Sequence, residues 1–170
     1  MNKSDVMRRI RLDLNMSKII EKLPDIEKLM NTRGAGPVVN QTVIPFIEWY
    51  EENIGKLDIP EMLMPDTDYA VFIARTDNIG VEKHVDNNYS ARCAVVNVAI
   101  TTGDAPIRFY DGDNCFFEHY YTPGEAVLLN ASVPHDVPAP TSPRYMIQFS
   151  VFGSNWDNAV TAMEPYIIKD

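Results

Sequence analysis

A chain of 170 residues with 45% hydrophobic and 23% charged residues has an ordinary globular composition and enough length for one substantial core. Its formal net charge of −9 argues against a nucleic-acid partner, whose phosphates must be met by an excess of cations. No apolar leader and no membrane-length apolar run is visible, and Cys93 and Cys115 lie inside strand-like segments, so a reduced, cytoplasmic setting without a membrane partner is expected.

Residues 1–9 are mostly polar, with Arg8, Arg9 and Arg11 close together, and read as a solvated start. Ile10, Leu12 and Leu14 alternate with Arg11 and Asp13, a short strand signal. From Ser17 onward Ile19, Ile20, Leu23, Ile26, Leu29 and Met30 recur at helical spacing, and Pro24 predicts a kink or two short helices. Arg33-Gly34-Ala35-Gly36-Pro37 is a loop by its glycine and proline content. Val43, Phe46, Ile47, Tyr50 and Ile54 then predict an amphipathic helix from Thr42 to Ile54, with Thr42 as its cap and Pro45 tolerated in its first turn. Such a helix would brace the outside of a sheet.

After Pro60 the texture changes to short strands and turns. Tyr69–Arg75, Val81–Asp86, Arg92–Thr101, Ile107–Tyr110, Cys115–Tyr121, Glu125–Leu129 and Tyr145–Phe152 are the predicted strands, parted by turn residues such as Asp77-Asn78 and Asp111-Gly112-Asp113. The near-continuous apolar run of Arg92–Thr101 fits a strand buried on both faces. The tail from Gly153 is mixed and gives no clear element. With no repeat or linker, residues 1–170 read as a single mainly-β domain, a jelly roll with supporting N-terminal helices on one outer face.

The chemistry is concentrated at His84-Val85-Asp86. In an extended segment residues i and i+2 share a face, so one imidazole and one carboxylate project together, just before the turn residues Asn87-Asn88. A second imidazole from a distant strand completes a 2-His-1-carboxylate facial triad, the donor set of non-haem Fe(II) oxygenases, with open positions opposite. His119 and His135 compete for that place. His119 sits among Phe116, Phe117, Tyr120 and Tyr121, where a histidine is more often packed and hydrogen-bonded. His135 follows Val133-Pro134 at a strand edge and is taken as the third ligand; Asp136, alternating to the other face, is left as a supporting group at most.

The ordered set His84-Val85-Asp86, His135 and Arg144 in Pro-Arg-Tyr-Met-Ile-Gln-Phe-Ser resembles the Fe(II)- and 2-oxoglutarate-dependent oxygenase superfamily over about residues 69–152. The resemblance implies a double-stranded β-helix, Fe(II) held by His84, Asp86 and His135, and Arg144 on the far carboxylate of 2-oxoglutarate. Arg92 resembles a second arginine of the aspartyl/asparaginyl β-hydroxylase-like branch, while Met146 stands where many members have Ser or Thr. The implied activity is a dioxygenase that consumes molecular oxygen, converts 2-oxoglutarate to succinate and hydroxylates a small molecule or a peptide side chain. A cupin-like metal- or ligand-binding module, or a jelly roll with incidental histidines, are the alternatives.

Overall fold

The computed structural model describes residues 1–33, 41–64, 70–86, 92–101 and 103–169, so the predicted loop beyond Arg33 and the Asn87-Asn88 turn lie outside the described residues. A short helix α1 (Lys3–Val6) leads into β1 (Met7–Ile10), followed by α2 (Met16–Glu21), α3 (Leu23–Arg33), β2 (Gln41–Pro45) and α4 (Phe46–Asn53). Then come β3 (Val71–Thr76), β4 (Val81–His84), β5 (Arg92–Ala99), β6 (Ile107–Asp111) and β7 (Asn114–His119). The chain ends with β8 (Ala126–Asn130), β9 (His135–Val137), β10 (Arg144–Phe152) and α5 (Trp156–Met163).

The strands form two antiparallel sheets, a large one ordered β1-β8-β5-β10-β3-β2 and a small one ordered β4-β9-β6-β7. Apart from the β2–β3 and β6–β7 pairs, neighbouring strands are non-consecutive in sequence, the mark of a jelly roll, and the chain folds as a double-stranded β-helix. Strand alternation divides the apolar side chains into two layers. Val95, Ala99, Leu129 and Met146 of the large sheet meet Ile107, Phe109 and Val137 of the small one. On the opposite face of the large sheet Ile73, Val96, Ile147 and Phe149 pack against helical residues such as Ile26, Met30 and Phe46. Phe46 stands edge-on to Phe149, with ring centroids 5.6 Å apart, in the geometry that aromatic quadrupoles favour. No helix among the described residues is long and apolar enough to cross a membrane.

Four sequence expectations are corrected. The start is anchored: Met7 pairs with Leu129 and Ile10 with Ala126, and Val6 is fully buried. A four-residue strand with two arginines at its centre carries too few apolar residues to show a period. Leu12 and Leu14, read as strand, only pack from an irregular stretch onto the outer layer. The predicted Thr42–Ile54 helix is a strand followed by a helix, because Thr42, Val43 and Ile44 are three consecutive β-branched residues that pair with β3, Ile44 opposite Ile73. Pro45 then precedes α4, where its missing N–H costs nothing, and Trp49 joins the buried face that the predicted period left out. Helices are also not confined to the start. Asn155 caps α5 through the Asn158 N–H at 3.0 Å, and Ala159 and Met163 are buried in the outer layer. Pro24 divides its region into the two short helices expected, α2 and α3.

Candidate active site

β4 and β9 lie side by side in the small sheet with His84 directly opposite His135, which brings the ring centroids to 4.5 Å. Each ring is oriented by a main-chain carbonyl two residues upstream: Nδ1 of His84 lies 2.7 Å from the Glu82 oxygen and Nδ1 of His135 lies 2.8 Å from the Val133 oxygen. A carbonyl oxygen only accepts, so both Nδ1 atoms carry hydrogen and the Nε2 atoms are the ones presented to a metal. The strand ends at His84, so Asp86 is not a strand neighbour as expected. Its place is set instead by its own N–H, which donates to the Ala131 oxygen at 2.9 Å beyond the end of β8. Asp86 Oδ1 then lies 3.0 Å from His84 Nε2 and 3.8 Å from His135 Nε2.

Among the described residues these three side chains bring their ligand atoms within 4.8 Å of one another. Burial alone pushes the Asp86 carboxyl up, but the hydrogen bond from His84 and the charge of Arg92 outweigh it and the group stays ionised more readily than usual. The hydrogen bond to Asp86 raises His84, whereas burial lowers His135 and keeps that imidazole neutral. An ionised carboxylate and a neutral imidazole are the forms that bind metal. The donor set itself, two nitrogens and one oxygen on one side of a cavity, suits Fe(II).

That cavity has a volume of about 210 Å³ and is lined by His84, Asp86, His135, Arg92 and Arg144, with apolar walls that include Phe109 and Leu129. Arg144 opens β10 and is only 5% exposed, yet its Nε and Nη1 have no hydrogen-bond partner among the described residues. Its guanidinium carbon lies 5.8 Å from the centre of the Tyr121 ring. Burial depresses its pKa, but a guanidinium keeps its charge, so Arg144 is a buried cation without a counter-ion among the described residues. Arg92 faces the same space with its charge already engaged: Nη2 is 3.2 Å from Asp86 Oδ2 and Nη1 donates to Ser150 Oγ at 3.2 Å.

His119 stands apart from the cluster, with Nε2 3.1 Å from Glu125 Oε2 and its ring edge-on to Tyr121. Asp136 turns to the other face of β9, where the Arg108 fork donates to both of its oxygens at 2.8 and 2.7 Å and the Tyr110 hydroxyl adds a third bond at 3.0 Å. Sequence reasoning missed the polar file beside Arg144, in which Gln148 donates to Asn97 at 3.1 Å and Asn97 donates to the Tyr121 hydroxyl at 3.1 Å. The signal was there: Asn97 is a lone polar residue in a buried strand run, and Gln148 stands two places beyond Met146 on the same face. Met146 itself is buried between the sheets.

No protein-family model and no curated protein sequence matches the chain. Solved structures do. A prolyl hydroxylase from Trichoplax adhaerens, in complex with a hypoxia inducible factor oxygen degradation domain peptide fragment, superposes over 86% of this chain and 83% of its own at a TM-score of 0.57 and 16% identity. A prolyl-4-hydroxylase from Pseudomonas putida covers 86% of this chain and 92% of its own, at a TM-score of 0.55 and 12% identity. At that identity the shared property is the fold, a double-stranded β-helix of matching extent.

Proposed function

We propose that the protein is an Fe(II)- and 2-oxoglutarate-dependent dioxygenase that hydroxylates a small molecule or a peptide side chain. The observation that carries the reading is Arg144: a buried guanidinium with two nitrogens unpartnered among the described residues, in the same cavity as the His84, Asp86 and His135 donor set. A buried cation left without a partner is costly, and an anionic ligand bound there removes the cost. A metal site alone does not account for it. A short dicarboxylate that touches the metal at one end and Arg144 at the other does.

In that role His84, Asp86 and His135 hold the metal, and Arg144 donates two parallel hydrogen bonds to the distal carboxylate, which a lysine cannot reproduce. Tyr121, steadied by Asn97 and Gln148, covers one face of that guanidinium. The walls formed by Val95, Phe109 and Leu129 exclude water from the reacting groups. When bound, iron and 2-oxoglutarate activate molecular oxygen for insertion into a C–H bond, with succinate and carbon dioxide as co-products. A peptide side chain gains support as the substrate because a similarly folded hydroxylase holds a peptide. Arg92, which resembles an arginine of the aspartyl/asparaginyl branch, is engaged with Asp86.

The test is anaerobic addition of Fe(II) and then 2-oxoglutarate, followed by the weak visible charge-transfer band of the chelate. The wild type is expected to develop the band, and a cupin-like binding module is expected to develop none. Truncating one partner of a buried, hydrogen-bonded charge pair costs about 2–5 kcal/mol, and tenfold in affinity corresponds to about 1.4 kcal/mol. Arg144→Met is therefore expected to weaken 2-oxoglutarate about 30-fold or more while iron still binds, with Arg144→Lys between the two. Wild-type affinity in Arg144→Met, with loss in Arg92→Met, assigns the carboxylate to Arg92 instead.

A further inference from the structure

Strand alternation places Val95, Asn97 and Ala99 of β5 on the inner face, and counting back by twos puts Cys93 inside and Arg92 outside. The structure has the reverse: Cys93 joins the outer layer and Arg92 lines the cavity. The cause is a β-bulge. Val151 of β10 pairs with Ala94 but Phe152 pairs with Arg92, so one residue of β5 is skipped at Cys93. Bulges re-aim side chains, and this one turns a cation that would otherwise face the helices toward the site.

Once inside, the guanidinium is held at both ends. Nη1 donates to Ser150, a buried residue on the inner face of β10, and Nη2 meets Asp86 at Oδ2, the oxygen that does not face the histidines. The other oxygen, Oδ1, is the one near both Nε2 atoms. A carboxylate can bind a cation through one oxygen or chelate it through both. With Oδ2 taken by Arg92, only Oδ1 is left.

We infer that Arg92 is a positioning residue that restricts Asp86 to metal ligation through Oδ1 alone. The inference rests on the metal centre proposed above. Its consequence is one more coordination position left open to the chelating co-substrate and oxygen. Lysine at this position keeps a point charge for Oδ2, whereas an apolar or amide side chain releases it.

The test uses the full protein loaded anaerobically with Mn(II) and carrying carboxylate-¹³C aspartate. The readout is the metal-dependent infrared spectrum. The antisymmetric and symmetric carboxylate stretches lie far apart for one-oxygen ligation and close together for chelation. Wild type and Arg92→Lys are expected to show the wide separation, and Arg92→Met the narrow one. If Arg92→Met does not fold, Arg92→Gln takes its place with the same expected narrowing. A wide separation in the folded variant at full Mn(II) occupancy overturns the role of Arg92 while leaving the metal centre standing. Failure of the wild type to take up Mn(II) overturns the metal centre, and the inference with it. A purely structural arginine would change thermal stability without changing the separation.

Discussion

Two histidines in this chain, His119 and His135, both lie against aromatic rings, and what separates them is what each Nε2 meets. That of His119 is occupied by Glu125, which also accepts the Thr122 N–H, so the pair closes a turn. That of His135 shares the space before Asp86 Oδ1 with His84. Replacing His84, Asp86 or His135 by Ala is accordingly expected to lower iron occupancy sharply after anaerobic loading, and His119→Ala to leave it nearly intact. Metal analysis decides: loss in His119→Ala with retention in His135→Ala reverses the choice of ligand. The same geometry fixes a pH dependence. The hydrogen bond to Asp86 raises His84, so the apo site keeps a proton on Nε2 to higher pH than a free imidazole would. Metal must displace that proton, so affinity rises with pH and falls as acid restores it. Mn(II) binding at about pH 6 is expected to release more protons than at about pH 8.5, where an imidazole is already neutral. Equal release at both, read by an indicator dye, would place the metal away from His84. At this scale the sequence was most legible where residue types are chemically distinctive, at His84, Asp86, His135 and Arg144. Asn97 and Gln148 stood out only as polar residues in apolar runs, and what they bond was not legible, because a single amide has no partner until the strands are paired.

At the scale of elements the site depends on how β4 meets β9, and a glycine controls that meeting. Gly80 sits at φ +74° in the turn between β3 and β4, and a Cβ there would come within 2.5 Å of the Val137 oxygen and 2.7 Å of the Ala139 nitrogen. Gly112, in the turn between β6 and β7, has φ +61° but nothing within 4 Å of its missing Cβ. Gly112→Ala therefore bears only the left-handed strain, about 1–2 kcal/mol. Gly80→Ala bears that strain and also has to push β9 away from its partner. With about 2–4 °C per kcal/mol for a domain of this size, Gly112→Ala is expected to lower the melting temperature by a few degrees and Gly80→Ala by clearly more. Scanning calorimetry of the two variants checks it, and equal losses would mean that the backbone at Gly80 relaxes without disturbing the pairing. Periodicity could not show this contact, since it arises between residues far apart in sequence. The same limit explains the misread segment before α4. A period of three to four runs through Val43, Phe46, Ile47 and Tyr50, but pairing with β3 outweighs it over Thr42–Ile44. The bulge at Cys93 is likewise a property of paired strands, invisible in β5 alone.

For the whole molecule, the jelly roll was legible from the rhythm of strands and turns after Pro60, while the order of strands in the two sheets was not, because strand order is a matter of long-range pairing. Charge acts at this scale too, and its arrangement sharpens what the net value of −9 already implies. Arg144 and Arg92 lie inside the cavity, where a duplex phosphate cannot follow. Several other cations are matched locally: Arg108 by Asp136, Lys83 by Asp113, Arg75 by Asp77 and Arg9 by Glu125. A protein that grips nucleic acid commonly neutralises about 6–10 phosphates, and the release of counterions makes its affinity fall steeply with salt. Here several of the cations near the surface are matched pairwise, and the net charge is negative. The protein is therefore expected to bind duplex or single-stranded nucleic acid only weakly at physiological salt. In a gel-shift titration the complex should be absent at micromolar protein, and lowering the salt should recover little, since repulsion between the acidic surface and the phosphates grows as screening falls. Tight binding that weakens steeply with added salt would instead move the substrate of the proposed oxygenase from a small molecule or peptide side chain to a nucleobase.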